Sequence, residues 1–473
     1  MSTNQPVEAK NSTTARQAAS PKEILGWIIA ILVPVVILLV PATESFTAPI
    51  KTTIAITTGI MIAFGFELLH NTILAIILLL LYVLTGVGSM ATAFSGYSNP
   101  VVWACPAAML LVGCLHQTKI LKKFSYTCML KAGGNNLGIL AGVTVFSYIL
   151  GAVLGPDLCI PMILILYALC VAVGIPARSN TAACLMLGAY LASNAPTYLY
   201  YNTNIALCVG AAQTVNQGVS LTYTEYLYHN WPMAIFGILS VAVPLVLLRR
   251  DNSVAAKDYL DVECRKIGRF TAKDKLMAAI LVLLLIGLLT MSKTGLNIAW
   301  VLLIASVLCF LPGIRIGNQE AIQSVNWNVF IFMGATMGTG SVFAAVGASD
   351  FIASMMAPMI SNMGKIGATF LIWLIGVVAN FFLTPLAAMS SLIAPLVSIG
   401  ETVGLDPIPI IYAFRNGVSQ CLLPYEIAPT LLLFSYGMVS LKQFVKVMGT
   451  VLVLNGVFIM LVMVPYWTLI GLM

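Results

Sequence analysis

The sequence predicts an all-α polytopic membrane protein with about 11 transmembrane helices, two re-entrant hairpins and an inverted repeat. Hydrophobic residues make up 60% of its 473 residues, and charged residues only 8%. An ordinary soluble domain carries about a quarter charged residues. Many apolar runs approach the ~20 residues that a helix needs to cross a bilayer. Composition and run length therefore exclude a soluble globular domain.

The first residues differ from the rest of the chain. They are polar and lack the apolar core of a signal peptide, so we predict a disordered cytoplasmic tail at 1–23. The apolar runs that follow predict spans at 24–43, 50–68, 71–88, 99–117, 181–211, 231–249, 274–292, 297–313, 326–346, 407–437 and 441–471.

Two further apolar stretches, 137–175 and 364–400, are too long for one span and too interrupted for two. Gly155-Pro156-Asp157 interrupts the first stretch, and Asn380, Thr384 and Pro385 interrupt the second. We predict that each is a re-entrant hairpin, which turns inside the membrane and leaves on the side where it entered.

Basic residues predict the orientation in the inner (plasma) membrane. The polar segment 249–275 contains eight Lys and Arg residues, and such loops face the cytoplasm. With a cytoplasmic N-terminus, six spans precede this loop, and eleven spans place the C-terminus outside. The net charge of +7 lies mostly in loops, so it sets topology and does not indicate a nucleic-acid partner.

The chain contains an internal repeat. Asn99-Pro100-Val101-Val102-Trp103 opens one apolar segment, and Val325-Asn326-Trp327 opens another. A hairpin and a broken helix follow each, and the halves have opposite topology, as in many secondary transporters. Chance similarity between two apolar segments is the alternative. The repeat divides the chain into first-repeat scaffold helices (24–130), first hairpin, broken helix and sixth span (131–249), a cytoplasmic loop (250–273), second-repeat scaffold helices (274–363), and second hairpin, broken helix and last span (364–473).

The second broken helix, at 407–437, contains an acid at membrane depth. Pro424 and Pro429 each remove a backbone donor, and Glu426 lies between them. Irregular backbone in a membrane is tolerated only where protein buries it or water lines it. An acid there is a functional hypothesis by default, so we predict that Glu426 binds a coupling cation or carries a proton.

The first broken helix offers neutral polar groups for a substrate. Its candidate residues are Ser193, Asn194, Thr197, Asn202 and Thr203. Their hydroxyls and amides can donate to an anion, and their oxygens can bind a cation such as Na⁺ near Asn194 and Thr203. Interrupted helices also expose N–H groups at one half-helix end and C=O groups at the other. A polar seam between helices is the alternative.

Two more charged residues are candidates. Asp157 at the first hairpin tip could bind a cation, carry a proton or cap the second arm of the hairpin. Arg415, in the second broken helix, could pair with Glu426, clamp a substrate carboxylate or extend to the membrane surface.

Enzymatic chemistry is not predicted. The sequence contains no nucleophile-elbow, H-E-x-x-H or phosphate-cradling motif. Its ten cysteines show no C-x-x-C pair and lie mostly in apolar segments, which favours small apolar filler over a metal site or a disulfide framework. No cofactor is predicted apart from Na⁺ or H⁺ as a coupling ion.

The chain resembles the divalent-anion/sodium symporter (DASS) family of the ion-transporter superfamily. The resemblance rests on the two repeat openings, on Leu405-Asp406-Pro407, on Phe64-Gly65-Phe66-Glu67, and on Leu423–Thr430, which is similar to the family's L-P-x-x-T-P-P-N segment. It implies an elevator-type homodimer in which the hairpins and broken helices carry a dicarboxylate, tricarboxylate or sulfate. Transport in the family runs by sodium symport or by exchange.

The sequence departs from the family at its binding motifs. Gly155-Pro156-Asp157 replaces the S-N-T of the first hairpin tip. Ile427 and Thr430 replace the Thr and Asn of the T-P-P-N segment, and Asn204 and Ile205 replace both prolines after Thr203. The remaining polar candidates for substrate contact in the second half are Thr384, Ser390, Ser391, Ser419 and Thr430.

The resulting expectation is a secondary active transporter for a small divalent anion, such as succinate, malate, tartrate, citrate or sulfate. It would work by cation symport or by anion exchange. A cation/proton antiporter of the same superfamily is the alternative, with Asp157 and Glu426 binding the ion directly. A membrane sensor or enzyme without transport activity is a third possibility.

Overall fold

The computed structural model describes residues 21–66, 68–248, 256–360, 364–381, 383–402 and 404–473. Every regular element in these ranges is a helix, and no strand occurs in them, as the all-α prediction requires. Residues 1–20 of the predicted tail at 1–23, residues 249–255 around the start of the predicted loop at 250–273, and Glu67 lie outside the described residues. Residues 21–23 belong to the first helix, so the prediction of disorder is wrong for them.

The first repeat contains the following helices. They are α1 (Pro21–Leu39), α2 (Ala48–Gly65), α3 (Asn71–Leu84), α4 (Met90–Ala93), α5 (Pro100–His116), α6 (Ile120–Lys131), α7 (Asn136–Leu154), α8 (Cys159–Ala172), α9 (Asn180–Asn194), α10 (Pro196–Leu199), α11 (Thr203–Ala212), α12 (Tyr223–Asn230) and α13 (Met233–Leu247). Short 3₁₀ turns lie at Ser95–Ser98 and Gly155–Leu158.

The predicted cytoplasmic loop contains α14 (Lys257–Ile267), which packs on α6. The second repeat then contains α15 (Ala272–Leu289), α16 (Met291–Thr294), α17 (Ile298–Leu308), α18 (Gln319–Gln323), α19 (Trp327–Val346), α20 (Ala348–Ile360), α21 (Gly364–Ala379), α22 (Pro385–Thr402), α23 (Pro407–Val418), α24 (Ala428–Ser435), α25 (Leu441–Phe458) and α26 (Val464–Leu469), with a π-helical turn at Ile459–Met463.

The helices of the two repeats correspond in order and in packing. The helix that opens the first repeat motif, α5, packs on α17, and its counterpart α19 packs on α3. Each second half of an interrupted helix packs on the hairpin of the other repeat, α11 on α22 and α24 on α8. The repeats therefore interlock, and polar groups of both can meet at one site.

The number of membrane spans is not confirmed by helix length. In the described ranges, three helical stretches are long and apolar enough to cross a membrane: 136–172, 327–346 and 441–469. Two pairs bent by 73° and 63°, at 100–131 and 223–247, raise that number to five. Several of the other predicted spans correspond to apolar helices that are 10–17 residues long over their described residues.

The first hairpin consists of α7 and α8, which both pack against α9. Before α7, Gly134 O accepts a hydrogen bond from Ala256 N at 3.0 Å, and after α8, Arg178 N donates to Met438 O at 3.1 Å. Both partners lie next to loops that the basic residues predict to be cytoplasmic. The two ends of this segment thus contact residues near these two loops, and its re-entrant course through the membrane stays a prediction.

In the second repeat, α21 packs closely against α23, the first half of the interrupted helix. Gly376 and Gly417 allow this approach, since a Cβ on either would collide with the backbone of the facing helix. The close contact holds the tip of the second hairpin, at 380–384, beside the break of the second helix.

Candidate functional site

The first interrupted helix breaks between α9 and α11, and Asn202 organises the break. Its Nδ2 donates to the carbonyls of Thr197 at 3.0 Å and Tyr200 at 2.9 Å. Its Oδ1 accepts from Asn204 N at 3.0 Å and Ile205 N at 3.4 Å, which caps α11. All the polar atoms of this amide are engaged, so Asn202 holds the backbone of the break.

Several other candidates of the first break bond to their own helices. Ser193 donates to Ala189 O at 2.8 Å, and Thr197 donates to Asn194 O at 2.7 Å. Asn194 is half-buried, and its Nδ2 lies 3.5 Å from the Tyr198 hydroxyl. Thr203, also half-buried, is the first residue of α11. Asn194 Oδ1 also accepts from the Thr197 hydroxyl at 3.3 Å. Among the predicted residues of this break, Thr203 is therefore the one whose side chain has no hydrogen bond to another described residue.

The tip of the first hairpin lies against the same break. Gly155 has a φ of +56°, and a Cβ on it would lie 3.1 Å from the Asn202 Cβ, so glycine suits this position twice over. Asp157 forms no hydrogen bond or ion pair with another described residue, and α8 begins without a side-chain cap. The alternative that Asp157 caps the second arm is therefore wrong.

The second interrupted helix breaks between α23 and α24, and Glu426 closes this break. Its carboxylate accepts from Leu422 N at 3.2 Å, from Leu423 N at 2.7 Å and from Asn380 Nδ2 at 3.1 Å. Asn380 lies at the second hairpin tip and also donates to Gln420 O at 2.7 Å. Hydrogen bonds of Asn380 to Glu426 and Gln420 therefore connect the second hairpin tip to the broken helix.

Arg415 is the most unusual residue of the second break. Its side chain is only 1% exposed, and its Nε and Nη1 have no hydrogen-bond partner among the described residues. The guanidinium carbon lies 4.9 Å from the centre of the Tyr198 ring, a cation–π contact. A buried cation without a counter-charge is costly unless a ligand supplies one.

Two interpretations of Arg415 are corrected by this geometry. It forms no ion pair with Glu426, because the Glu426 carboxylate is occupied by two backbone N–H groups and by Asn380. It does not extend to the membrane surface either, because it is buried at the end of α23. Of the interpretations made from sequence, the anion clamp is the one that fits its surroundings.

A hydrogen-bond path joins the two breaks. Gln420 Nε2 donates to the Tyr198 hydroxyl at 3.0 Å, and Asn194 approaches the same hydroxyl. Gln420 O in turn accepts from Asn380, which contacts Glu426. Hydrogen bonds therefore link residues of both predicted repeats to Tyr198, whose ring contacts the Arg415 guanidinium.

The hydroxyl candidates of the second half bond locally. Ser390 donates to Leu386 O at 2.8 Å, Ser391 to Ala387 O at 2.6 Å and Ser419 to Arg415 O at 2.7 Å. Thr430 donates to Pro424 O at 3.0 Å, inside the break. Thr384 is exposed and accepts from Ala387 N at 3.4 Å. No contact of these hydroxyls reaches Arg415 among the described hydrogen bonds, apart from the backbone bond of Ser419.

Four buried residues around the second break were not named as site candidates from the sequence: Tyr198, Asn380, Asn416 and Gln420. Asn380, Asn416 and Gln420 lie in the interrupted stretches, where an amide inside an apolar run was the available signal. Tyr198 carried no such signal, because one tyrosine among many in a membrane helix is ordinary. Its role follows only from its contacts with Arg415 and Gln420.

The described part of the chain contains no group of three or more His, Cys, Asp or Glu side chains that could hold a metal ion. All ten cysteines are free thiols in this structure.

The fold resembles that of a solved transporter. The crystal structure of the Alcanivorax borkumensis YdaH transporter, described as having an unusual topology, superposes with a TM-score of 0.57 at 16% identity, covering 83% of this chain and 89% of that one. At this identity the likeness supports a common transporter-like fold.

Two curated proteins are similar in sequence. The inner membrane protein YbhI of Escherichia coli is 22% identical over 407 residues, which covers 81% of this chain and 83% of YbhI. An uncharacterized transporter of Haemophilus influenzae is 24% identical over 422 residues, with 80% and 84% of the two chains covered.

The family profile described as the sodium:sulfate symporter transmembrane region matches residues 21–473. The match covers both repeats, both hairpins and both interrupted helices, and it confirms the resemblance inferred from the sequence motifs. A transport protein, and not an enzyme, is what this match indicates. The chain belongs to the sodium:sulfate symporter family of membrane transporters.

Proposed function

We propose that the protein is a secondary active transporter that moves a small divalent anion across the inner (plasma) membrane. The class of anion is a di- or tricarboxylate, such as succinate, malate, tartrate or citrate, or sulfate. The observation that carries this proposal is the buried Arg415, whose Nε and Nη1 have no hydrogen-bond partner among the described residues.

The chemistry of Arg415 suits an anion that enters and leaves. A guanidinium donates two parallel N–H bonds to a carboxylate or sulfate, and such charge-assisted bonds are about twice as strong as neutral ones. In the empty site the buried charge is uncompensated, which is unfavourable. A bound anion removes this penalty. The charge-assisted hydrogen bonds and the neutralisation of the buried charge therefore both favour anion binding.

Coupling is proposed to involve the acids of the two repeats. Asp157 has free oxygens at the first hairpin tip, close to the break that holds Asn194 and Thr203. These oxygens are suitable ligands for Na⁺ or acceptors for a proton. Glu426 is a second candidate, although its carboxylate already accepts three N–H groups. Cation symport and anion exchange both remain compatible with this arrangement.

The mode of movement is proposed from the family. The hairpins and interrupted helices would form the moving domain of an elevator, the other helices the scaffold, and two chains a homodimer. The N-terminus would face the cytoplasm and the C-terminus the outside. The interlocking of α11 with α22 and of α24 with α8 supports a single body for the moving part.

The proposal is tested by uptake into proteoliposomes. Labelled succinate, citrate and sulfate are offered under a sodium gradient, a proton gradient or no gradient, and with unlabelled anion inside. We expect accumulation or exchange of at least one anion by the wild type and by Arg415→Lys, and loss in Arg415→Gln. If no anion accumulates or exchanges under any condition, the proposed function is wrong.

A cation/proton antiporter is the second candidate, because Asp157 has no protein partner among the described residues. The buried Arg415 opposes this candidate if the ion passes the second break, since a like charge repels a transported cation. Cation-driven pH changes in anion-free proteoliposomes that disappear in Asp157→Asn would favour this candidate.

A further inference from the structure

The segment 256–275, which contains the described part of the predicted cytoplasmic loop, is folded along the whole length of α6. Four contacts join the two in antiparallel order: Gly134 O with Ala256 N, Thr127 Oγ1 with Cys264 Sγ, Lys123 Nζ with Gly268 O, and Lys119 N with Asp274 Oδ1. Residues 119–134 and 256–275 therefore form one structural element, which we call the α6–α14 unit.

The α6–α14 unit adjoins the ends of three apolar helices. Helix α5 ends directly before it, α7 begins directly after α6, and α15 begins within it at Ala272. Helix α6 is bent away from α5 by 73°. With α5 and α15 crossing the membrane as predicted, a helix turned this sharply lies along the membrane surface, at the depth of the lipid headgroups.

Cations outnumber acids in this unit, with ten Lys and Arg residues against four Asp and Glu residues. Three of the acids are occupied. Asp261 pairs with Arg265 at 2.7 Å, and Glu263 pairs with Lys266 at 2.6 Å. Asp274 accepts from two backbone N–H groups. Six exposed cations of the unit have no ion pair among the described residues: Lys122, Lys131, Lys257, Arg269, Lys273 and Lys275.

The antiparallel contacts bring these unpaired cations together from distant parts of the sequence. The contact of Gly134 with Ala256 places Lys257 beside the end of α6, where Lys131 lies. The contact of Lys123 with Gly268 brings the neighbouring residues Lys122 and Arg269 near each other in the same way. Like charges held this close repel one another, so an anionic partner stabilises the arrangement.

Apolar side chains are exposed on the same unit. Val262 is 48% exposed and Phe270 is 44% exposed, and the Lys123 ammonium lies 4.7 Å from the centre of the Phe270 ring. Cations beside exposed aromatic and aliphatic side chains are typical of elements that lie on an anionic membrane surface. A preference for basic residues on the cytoplasmic side explains their number, but it requires neither an ordered unit nor exposed apolar groups.

We propose that the α6–α14 unit binds anionic phospholipid headgroups of the membrane leaflet that it faces. The headgroup phosphates accept hydrogen bonds from the unpaired cations, and Phe270 and Val262 contact the boundary of the acyl chains. Phosphatidylcholine carries the same phosphate with a compensating positive charge, so the unit discriminates against it. This inference goes beyond the proposed function, because it involves neither the transported anion nor Arg415.

The test is binding of dioctanoyl-phosphatidylglycerol and dioctanoyl-phosphatidylcholine to the purified full-length protein in neutral detergent. Lipid-dependent thermal unfolding gives the apparent affinities. A Lys or Arg near an anionic surface favours binding about fivefold, so we expect the wild type to prefer phosphatidylglycerol by at least about tenfold. This preference should fall at high salt, because the cations are exposed.

Two triple variants, each neutralising three exposed cations, locate the binding surface. The first lies within the unit and the second, a matched control, lies outside it: Lys257→Gln/Arg269→Gln/Lys273→Gln, and Lys293→Gln/Lys365→Gln/Lys442→Gln. We expect the first variant to lose most of the preference for phosphatidylglycerol and the control to keep it.

Three results would overturn the inference. The first is a wild type that binds both lipids equally, which needs no variant to observe. The second is an equal loss of preference in the two triple variants, which would assign lipid binding to the net charge of the whole chain. The third is displacement of phosphatidylglycerol by an equal concentration of inorganic phosphate, which would make the unit a site for free anions. None of these results bears on the proposed transport of an anion.

Discussion

The two interrupted helices occupy matching positions in the two repeats, but their breaks are stabilised differently. In the first, the neutral amide of Asn202 satisfies four groups, and Asp157 at the hairpin tip has no hydrogen bond or ion pair with a described residue. In the second, Glu426 closes the break, and Arg415 Nε and Nη1 have no hydrogen-bond partner among the described residues. A charged residue in a broken membrane helix can therefore be structural or functional, and its hydrogen bonds decide which.

The largest expected effect is the loss of anion affinity when the charge of Arg415 is removed. Arg415→Gln removes the positive charge from the second break, and losing one partner of a buried charge pair costs ~2–5 kcal/mol. We expect apparent anion affinity in uptake assays to fall by about 100-fold or more. Arg415→Lys keeps the charge but not the planar fork, so it should retain part of the affinity. Normal uptake by Arg415→Gln would place the anion elsewhere.

The next largest effect is a difference between Glu426 and Asp157 in their contribution to the free energy of unfolding. Glu426→Ala leaves two backbone N–H groups and the Asn380 amide without their acceptor, so we expect a loss of about 3 kcal/mol in the free energy of unfolding. Asp157→Asn breaks no hydrogen bond to a described residue, so its stability should stay within about 0.5 kcal/mol. Thermal or denaturant unfolding in detergent measures both. Equal losses in the two variants would contradict the distinction between a structural and a free acid.

Glu426 as a proton carrier stays a prediction. The pH profile of uptake by Glu426→Gln, compared with that of Asp157→Asn, identifies which acid couples transport to protons. If coupling resides at the free acid, only Asp157→Asn changes the profile. An altered profile in Glu426→Gln alone would reverse the assignment of the two acids.

A smaller effect is expected at the amide of the first break. Asn202→Ala removes the cap of α11, and the loss of such a cap costs ~1–2 kcal/mol. Because Asn202 is occupied by backbone groups, the change should lower stability more than anion affinity at Arg415. A variant with wild-type stability and a large affinity loss would show that Asn202 contacts the substrate directly.

The smallest effects are expected at the serines that bond to their own helices. Ser193→Ala and Ser390→Ala each remove a hydroxyl that donates to a carbonyl of the preceding turn, and that carbonyl keeps its helical hydrogen bond. Both variants should stay within about 0.5 kcal/mol of the wild type in unfolding, with unchanged uptake. A clear loss of uptake would move these hydroxyls into the substrate site.

Much of the fold could be predicted from the sequence. Proline, glycine and polar residues inside apolar runs mark the interruptions at Gly155, Asn202, Thr384 and Pro424, and helices do end near each. The number of spans could not be settled, because the interrupted helices, such as those on either side of Asn202 and Pro424, are each too short to cross a membrane alone. Counting spans by apolar length therefore fails for the hairpins and interrupted helices, which contain the candidate site.

The site could be predicted only in part. Charge in an apolar run identified Arg415, Glu426 and Asp157, but not their roles. Those roles depend on contacts between residues far apart in sequence, such as Tyr198 with Gln420 and Asn380 with Glu426. A periodic pattern places a side chain on one face of its own helix, and it contains no information on which helix faces it.

The central claim is that the unpaired guanidinium of Arg415 is the anion site, and ligand-dependent thermal unfolding tests it most directly. The wild type and Arg415→Gln are unfolded with and without a dicarboxylate series. An anion at 100 times its Kd stabilises the folded state by about 2.7 kcal/mol, so the wild type should melt at a higher temperature with the ligand. Arg415→Gln should be at least as stable as the empty wild type, because it removes an uncompensated buried charge, and it should not respond to the anion. An Arg415→Gln protein that is less stable when empty, or that is stabilised by the anion as much as the wild type, would contradict the account.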